Sequence, residues 1–255
     1  SNICTAQALL ANMAGFYAVW HGPDGLRRIA LRVNALTRLL AARIAEGGGP
    51  APRHAHYFDT LAFDTGAQTD AIVVRADAAR INLRRLGPQA LAVSLDETVS
   101  LRDVADLVGV FTGRDVDAEA LRAAGAALSI KPASLPDALR RTDAVLTHAV
   151  FNRHRSETEF VRYLKKLENR DLSLVHSMIA LGSCTMKLNA ASEMAPVTWP
   201  AFADLHPFVP PGQAAGYTEM IDQLGRWLAE ITGFHSVSFQ PNSGAQGEYA
   251  GLLAI

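Results

Sequence analysis

The residues with the clearest chemical potential lie late in the sequence, in Val237-Ser-Phe-Gln-Pro-Asn-Ser-Gly-Ala-Gln-Gly-Glu-Tyr-Ala-Gly251. Val237 and Phe239 alternate with polar residues as at the end of a strand, Pro241-Asn242 halts it, and small residues from Ala245 open a helix. The first amides of a helix lack intrahelical partners, and the helix dipole places partial positive charge there, so the setting suits a phosphate. Gly244 and Gly247 have no Cβ and let an anion approach the backbone, while Ser243 adds a hydroxyl donor. The pattern predicts an anion cradle at Ser243, Gly244, Ala245 and Gln246. Taken alone, Asn-Ser-Gly before a helix is equally an ordinary N-cap, with Asn242 or Ser243 capping and no ligand.

Two further stretches could do chemistry. Leu205-His-Pro-Phe-Val209 displays His206 and Phe208 from a proline-stiffened loop, and histidine is the side chain that exchanges protons near neutral pH; the structural alternative is a turn with a packed Phe208. Upstream, the apolar run ending in Ser177-Met-Ile-Ala-Leu is broken by Gly182 and followed by Ser183, Cys184 and Thr185, as in a loop that lines a pocket. Cys184 with His206 as base could be read as a nucleophile, but no neighbour marks it as activated, and a packed or redox-sensitive thiol is the simpler reading. Lys187, one of only four lysines, invites a Schiff-base reading. His54 and His56 stand two apart without a third ligand and read as loop histidines; no metal is predicted.

The elements that must position these groups are marked by periodicity and breakers. Leu9, Leu10, Met13, Phe16, Tyr17 and Trp20 recur at helical intervals from Ala6 until His21-Gly22-Pro23 ends the run. Asp24 can cap a second helix, with Leu26, Ile29, Val33, Leu36, Leu40 and Ile44 on one face, up to Gly47-Gly-Gly-Pro50. Tyr57 to Phe63 reads as a strand, Ala71 to Leu86 as a helix stopped by Gly87-Pro88, and Leu91 to Leu95 as a second strand. Ser100 with Asp103 forms a capping box for a helix through Val110, and Ser156 with Glu159 another for a helix to about Asn169. Tyr217 to Ile231 is a helix closed by Thr232-Gly233. Strands alternating with helices between Gly/Pro breaks predict a small α/β domain.

Composition sets the outer bounds. With 255 residues, 49% hydrophobic and 19% charged, the chain is long and apolar enough for a sizeable core and is neither disordered nor collagenous. A net charge of −1, from 24 basic and 25 acidic residues, steers it to neither nucleic acid nor a membrane surface. No apolar run approaches the roughly 18 residues of a membrane span, and no signal-peptide order opens the chain. Cys4 and Cys184, without metal spacing, fit a reducing compartment.

Gln240 to Gly251, Gly182-Ser-Cys-Thr-Met-Lys-Leu-Asn189 and Leu205-His-Pro-Phe-Val209 together closely resemble the glycine cleavage system P-protein family, the pyridoxal-phosphate-dependent glycine dehydrogenases (decarboxylating). The opening Ser1-Asn-Ile-Cys-Thr-Ala-Gln-Ala-Leu-Leu-Ala-Asn12, Val150-Phe-Asn152 and Ser156-Glu-Thr-Glu159 resemble it too, in the same order, so the likeness spans the whole chain. One departure is Arg155, where the family usually carries His.

The resemblance implies an aminotransferase-like α/β architecture, pyridoxal-phosphate-dependent fold type I, with this chain an internal fragment across the junction of two homologous halves. On that likeness, residues 1–22 end the large domain of the N-terminal half and 23–150 are a linking helix and small α/β domain. Residues 151–175 are then a connecting helix, and 176–255 begin the cofactor-binding half. The implied reaction releases carbon dioxide from glycine and passes the aminomethyl group to the lipoyl arm of the H-protein. Ser243, Gly244, Ala245 and Gln246 would anchor the phosphate of pyridoxal 5'-phosphate, His206 would stand catalytically at the mouth of the site, and Ser183, Cys184 and Thr185 would line the substrate pocket. In this fold the cofactor lysine follows the phosphate loop, so it is expected beyond Ile255, is not Lys187, and leaves the isolated chain inactive. A homodimeric parent in a bacterial cytoplasm or a mitochondrial matrix is expected. The alternatives are another pyridoxal-phosphate-dependent amino-acid decarboxylase and a noncatalytic α/β interaction segment.

Overall fold

A computed structural model of the chain describes residues 6–126, 135–170, 190–241 and 243–255. Their contacts fall into two compact units, one running from His21 to Arg153, the other discontinuous and drawn from 1–20 and 154–255. The architecture is mixed helix and sheet.

Helix α1 (Ala6–Glu46) crosses from one unit to the other and is broken at Gly22, with φ 58° and ψ −174°. Such a positive φ is strained for any residue with a Cβ, and the following Pro23 has no amide to continue the ladder, so the break falls where the sequence predicts it. The helix ends in a Schellman turn, in which Gly49 N donates to Ile44 O (2.8 Å) and Gly48 N to Ala45 O (3.0 Å). Gly48 sits at φ 80°, and a Cβ on Gly47 would lie 2.6 Å from Thr112 Cγ2, so that glycine is needed for close packing.

The unit from His21 to Arg153 holds a three-stranded antiparallel sheet of β1 (Thr60–Asp64), β2 (Arg84–Gly87) and β3 (Ala90–Ser94), in the order β1-β3-β2. Register pairs Leu61 with Val93, Phe63 with Leu91, and Arg85 with Leu91. Helices α2 (Thr69–Ala78), α3 (Leu101–Thr112) and α4 (Ala118–Ala126) complete it. Leu40 and Ile44 of α1, Phe63 and Leu91 of the sheet, Ile72 of α2, and Val104 and Phe111 of α3 form one buried cluster. Burying each of these side chains stabilises the fold by roughly 1.5–3 kcal/mol before entropy is counted. Phe63 and Phe111 stack at a tilt of 49° with ring centroids 4.7 Å apart. The side chains of the buried Asn34, Thr37, Thr65 and Thr69 are satisfied: Asn34 Nδ2 donates to Phe58 O (2.9 Å), Thr37 Oγ1 to Val33 O (2.9 Å), and the Thr65 and Thr69 hydroxyls bond at 2.6 Å.

Helix α3 opens with the predicted capping box. The Ser100 amide and hydroxyl donate to Asp103 Oδ2 (2.7 and 2.6 Å), and Asp103 N donates to Ser100 Oγ (3.3 Å). These bonds, the Ser100 hydroxyl foremost, hold the Asp103 carboxyl below its ordinary range.

One predicted helix in this unit is corrected. The expected helix from Ala71 to Leu86 stops at Ala78, and residues 84–87 pair with β3 instead. The chain turns through a second Schellman motif, in which Ile81 N donates to Ala76 O (2.8 Å) and Arg80 N to Asp77 O (3.0 Å). Arg80 occupies the left-handed position at φ 59°, which glycine usually takes.

In the other unit, α5 (Glu157–Glu168) starts at Ser156, whose Oγ accepts from Glu159 N (3.3 Å). Phe160 packs edge-on to Phe16 (6.0 Å) and Trp20 (5.4 Å), and Arg155 Nη1 donates to Trp20 O (3.3 Å), satisfying a carbonyl at the end of the first segment of α1. Short helices α6 (Ala191–Met194) and α7 (Pro200–Ala203) lead to α8 (Ala215–Thr232), which closes on Gly233 at φ 75°, and then to α9 (Gly244–Ala254). The strand expected at Val237–Phe239 does not form, because no described residue pairs with its backbone.

Candidate functional site

The first turn of α9 is built by Ser243. Its backbone is extended (φ −153°, ψ 164°), its Oγ accepts from Gln246 N at 3.2 Å, and its carbonyl accepts from Gly247 N at 3.0 Å. Ser243 is thus the N-cap, and the amide of Gln246 is engaged by it. Among the described residues no acceptor meets the amides of Gly244 and Ala245. A hydroxyl that accepts through a lone pair keeps its hydrogen, so Ser243 can cap the helix and still donate to an anion. The cap and the cradle are therefore compatible at one serine.

The surroundings favour negative charge. An eleven-residue helix directs its positive end at this point, and its first turn carries no acidic side chain to occupy it. A Cβ added to Gly244 would meet nothing within 4 Å among the described residues, so space beside Gly244 is clear of them. Gly244, Ala245 and Gln246 are exposed and Ser243 is half-buried.

His206 lies on the turn before α8. Phe208 N donates to its Nδ1 (3.0 Å) and Val209 N to its carbonyl (3.0 Å). A ring accepting at Nδ1 carries the hydrogen of its neutral form on Nε2, so Nε2 is the nitrogen that can donate outward. Phe208 is 90% exposed, its ring 5.8 Å from that of His206, rather than buried in the turn. No hydrogen bond or ring contact among the described residues joins His206 to Ser243–Gln246. Ser183, Cys184, Thr185 and Lys187 lie outside the described residues, as does Asn242.

A feature that sequence reasoning passes over is an open hollow of about 490 Å³ along α8, lined by Pro211, Ala215, Thr218, Glu219, Asp222 and Arg226. The signal available for it was the spacing of Glu219, Asp222 and Arg226, which places two carboxylates and a guanidinium on one helical face. His54 and His56 are exposed, and among the described residues no three His, Cys, Asp or Glu side chains are grouped to hold a metal. No helix among the described residues is long and apolar enough to cross a membrane.

Comparison with known proteins adds the following. Residues 1–111 match the family model described as glycine cleavage system P-protein. The chain is 58% identical to glycine dehydrogenase (decarboxylating) of Stutzerimonas stutzeri, in an alignment covering 100% of this chain and 26% of that protein. It is likewise 58% identical to glycine dehydrogenase (decarboxylating) 2 of Pseudomonas putida and 57% identical to glycine dehydrogenase (decarboxylating) of Vibrio cholerae, with the same coverage. The chain thus spans about a quarter of the length of the relatives it matches.

Proposed function

Because the chain is homologous along its whole length to one stretch of the glycine dehydrogenases (decarboxylating) of the glycine cleavage system P-protein family, we propose that it contributes to a pyridoxal-phosphate-dependent decarboxylation of glycine. The observation that carries this reading is the N-terminus of α9. Two amides without a described acceptor, a serine hydroxyl with its hydrogen free, clear space at Gly244 and a carboxylate-free first turn fit a phosphate monoester.

In this proposal Gly244 and Ala245 donate backbone hydrogen bonds to the coenzyme phosphate, Ser243 donates its hydroxyl, and Gln246 completes the turn. When bound, the coenzyme supplies the electron sink for carbon dioxide loss. His206 offers the Nε2 proton at the mouth of the site and can hold or return it. The aminomethyl group passes to the lipoyl arm of an H-protein, and the cofactor lysine and the partner of the coenzyme ring come from the rest of the longer enzyme. The fold of that enzyme is of the aminotransferase-like type I class, acting as a homodimer in a bacterial cytoplasm. Its domains join near residues 22, 150 and 175.

The test is an absorbance titration with pyridoxal 5'-phosphate, made on a full-length protein carrying this stretch and on its Gly244→Trp variant. The indole fills the clear space, and the dissociation constant is expected to rise at least about tenfold, or roughly 1.4 kcal/mol. Unchanged affinity in a variant with unchanged helical circular dichroism overturns the reading. One observation favours a noncatalytic segment: the Ser243 bond to Gln246 N is what a plain N-cap makes. That reading expects no coenzyme absorbance band in either protein.

A further inference from the structure

We draw no further inference here: the strongest candidate, the exposed apolar face that α8 and α9 present with Met220, Trp227, Leu252 and Leu253, carries nothing because no described residue shows what covers it.

Discussion

The two units are stabilised in different ways. Among the described residues, every buried apolar side chain except Val19 belongs to the unit from His21 to Arg153, as do the buried Asn34, Thr37, Thr65 and Thr69. In the other unit Met220, Ile221, Leu224, Trp227 and Ile231 of α8 stand 42–79% exposed, although their spacing is that of an amphipathic helix. There, among the described residues, order rests on caps at Ser156, Gly233 and Ser243 and on aromatic contacts around Phe160, between His154 and Tyr163, and around Phe202. One unit is held by a shared interior, the other by the chemistry of its helix ends. The pattern of a face is thus legible even where the packing that uses it is not on view.

The contrast can be broken by urea unfolding of the chain and its variants. Phe111→Ala, which empties the space against Phe63, is expected to lose about 3–5 kcal/mol. A loss under 1 kcal/mol would mean that the interior does not carry that unit.

Next comes Ser100→Ala, which removes the cap of α3, with an expected loss of about 1 kcal/mol at neutral pH. The pH dependence sharpens it. The Asp103 carboxyl is held below its unfolded value, so its stabilisation is fully present above about pH 4 and is lost as pH falls through the lower folded value. The gap between wild type and Ser100→Ala should therefore narrow in acid; a gap constant from neutral pH to about pH 2 would sink this account.

A gain is expected from Arg80→Gly, because a side chain in the left-handed region is strained by about 1 kcal/mol. A raised urea midpoint with unchanged slope would bear this out, and a lowered one would show that the arginine side chain holds the turn. Smallest of all, Trp227→Ala on the exposed face of α8 should change stability by no more than about 0.5 kcal/mol. A loss matching that of Phe111→Ala would erase the difference between the units.

What could be read in advance follows the same divide between marked and unmarked chemistry. The break at Gly22-Pro23, the turn at Gly47–Gly49, the capping box at Ser100, the N-cap at Ser156, and the close of α8 at Gly233 are each announced by a residue type with a backbone preference. The turn at Arg80 uses the same hydrogen bonds as the one at Gly48, but an arginine in the left-handed position sends no such signal. The helix was therefore expected to run on through β2, whose Arg84-Arg-Leu-Gly87 has no apolar alternation to announce a strand. At the candidate site, the onset of α9 and a cap at Asn242 or Ser243 were readable from Asn242-Ser-Gly. The engagement of the Gln246 amide by Ser243 was not, since the same serine could have capped or remained free. Nor could spacing along the sequence say that His206 would accept a bond at Nδ1, because that depends on the turn its own prolines make.

The discontinuous unit also constrains how the chain assembles. Trp20 and Arg155 meet across 135 residues, so the opening helical segment emerges during synthesis long before α5 exists to receive it. Closing so long a loop is unfavourable while it is loose and easier once the intervening residues have condensed around their own centre. Loop closure thus predicts assembly from the middle outward, with the inserted body first and the clasp of Phe16 and Trp20 onto Phe160 afterwards.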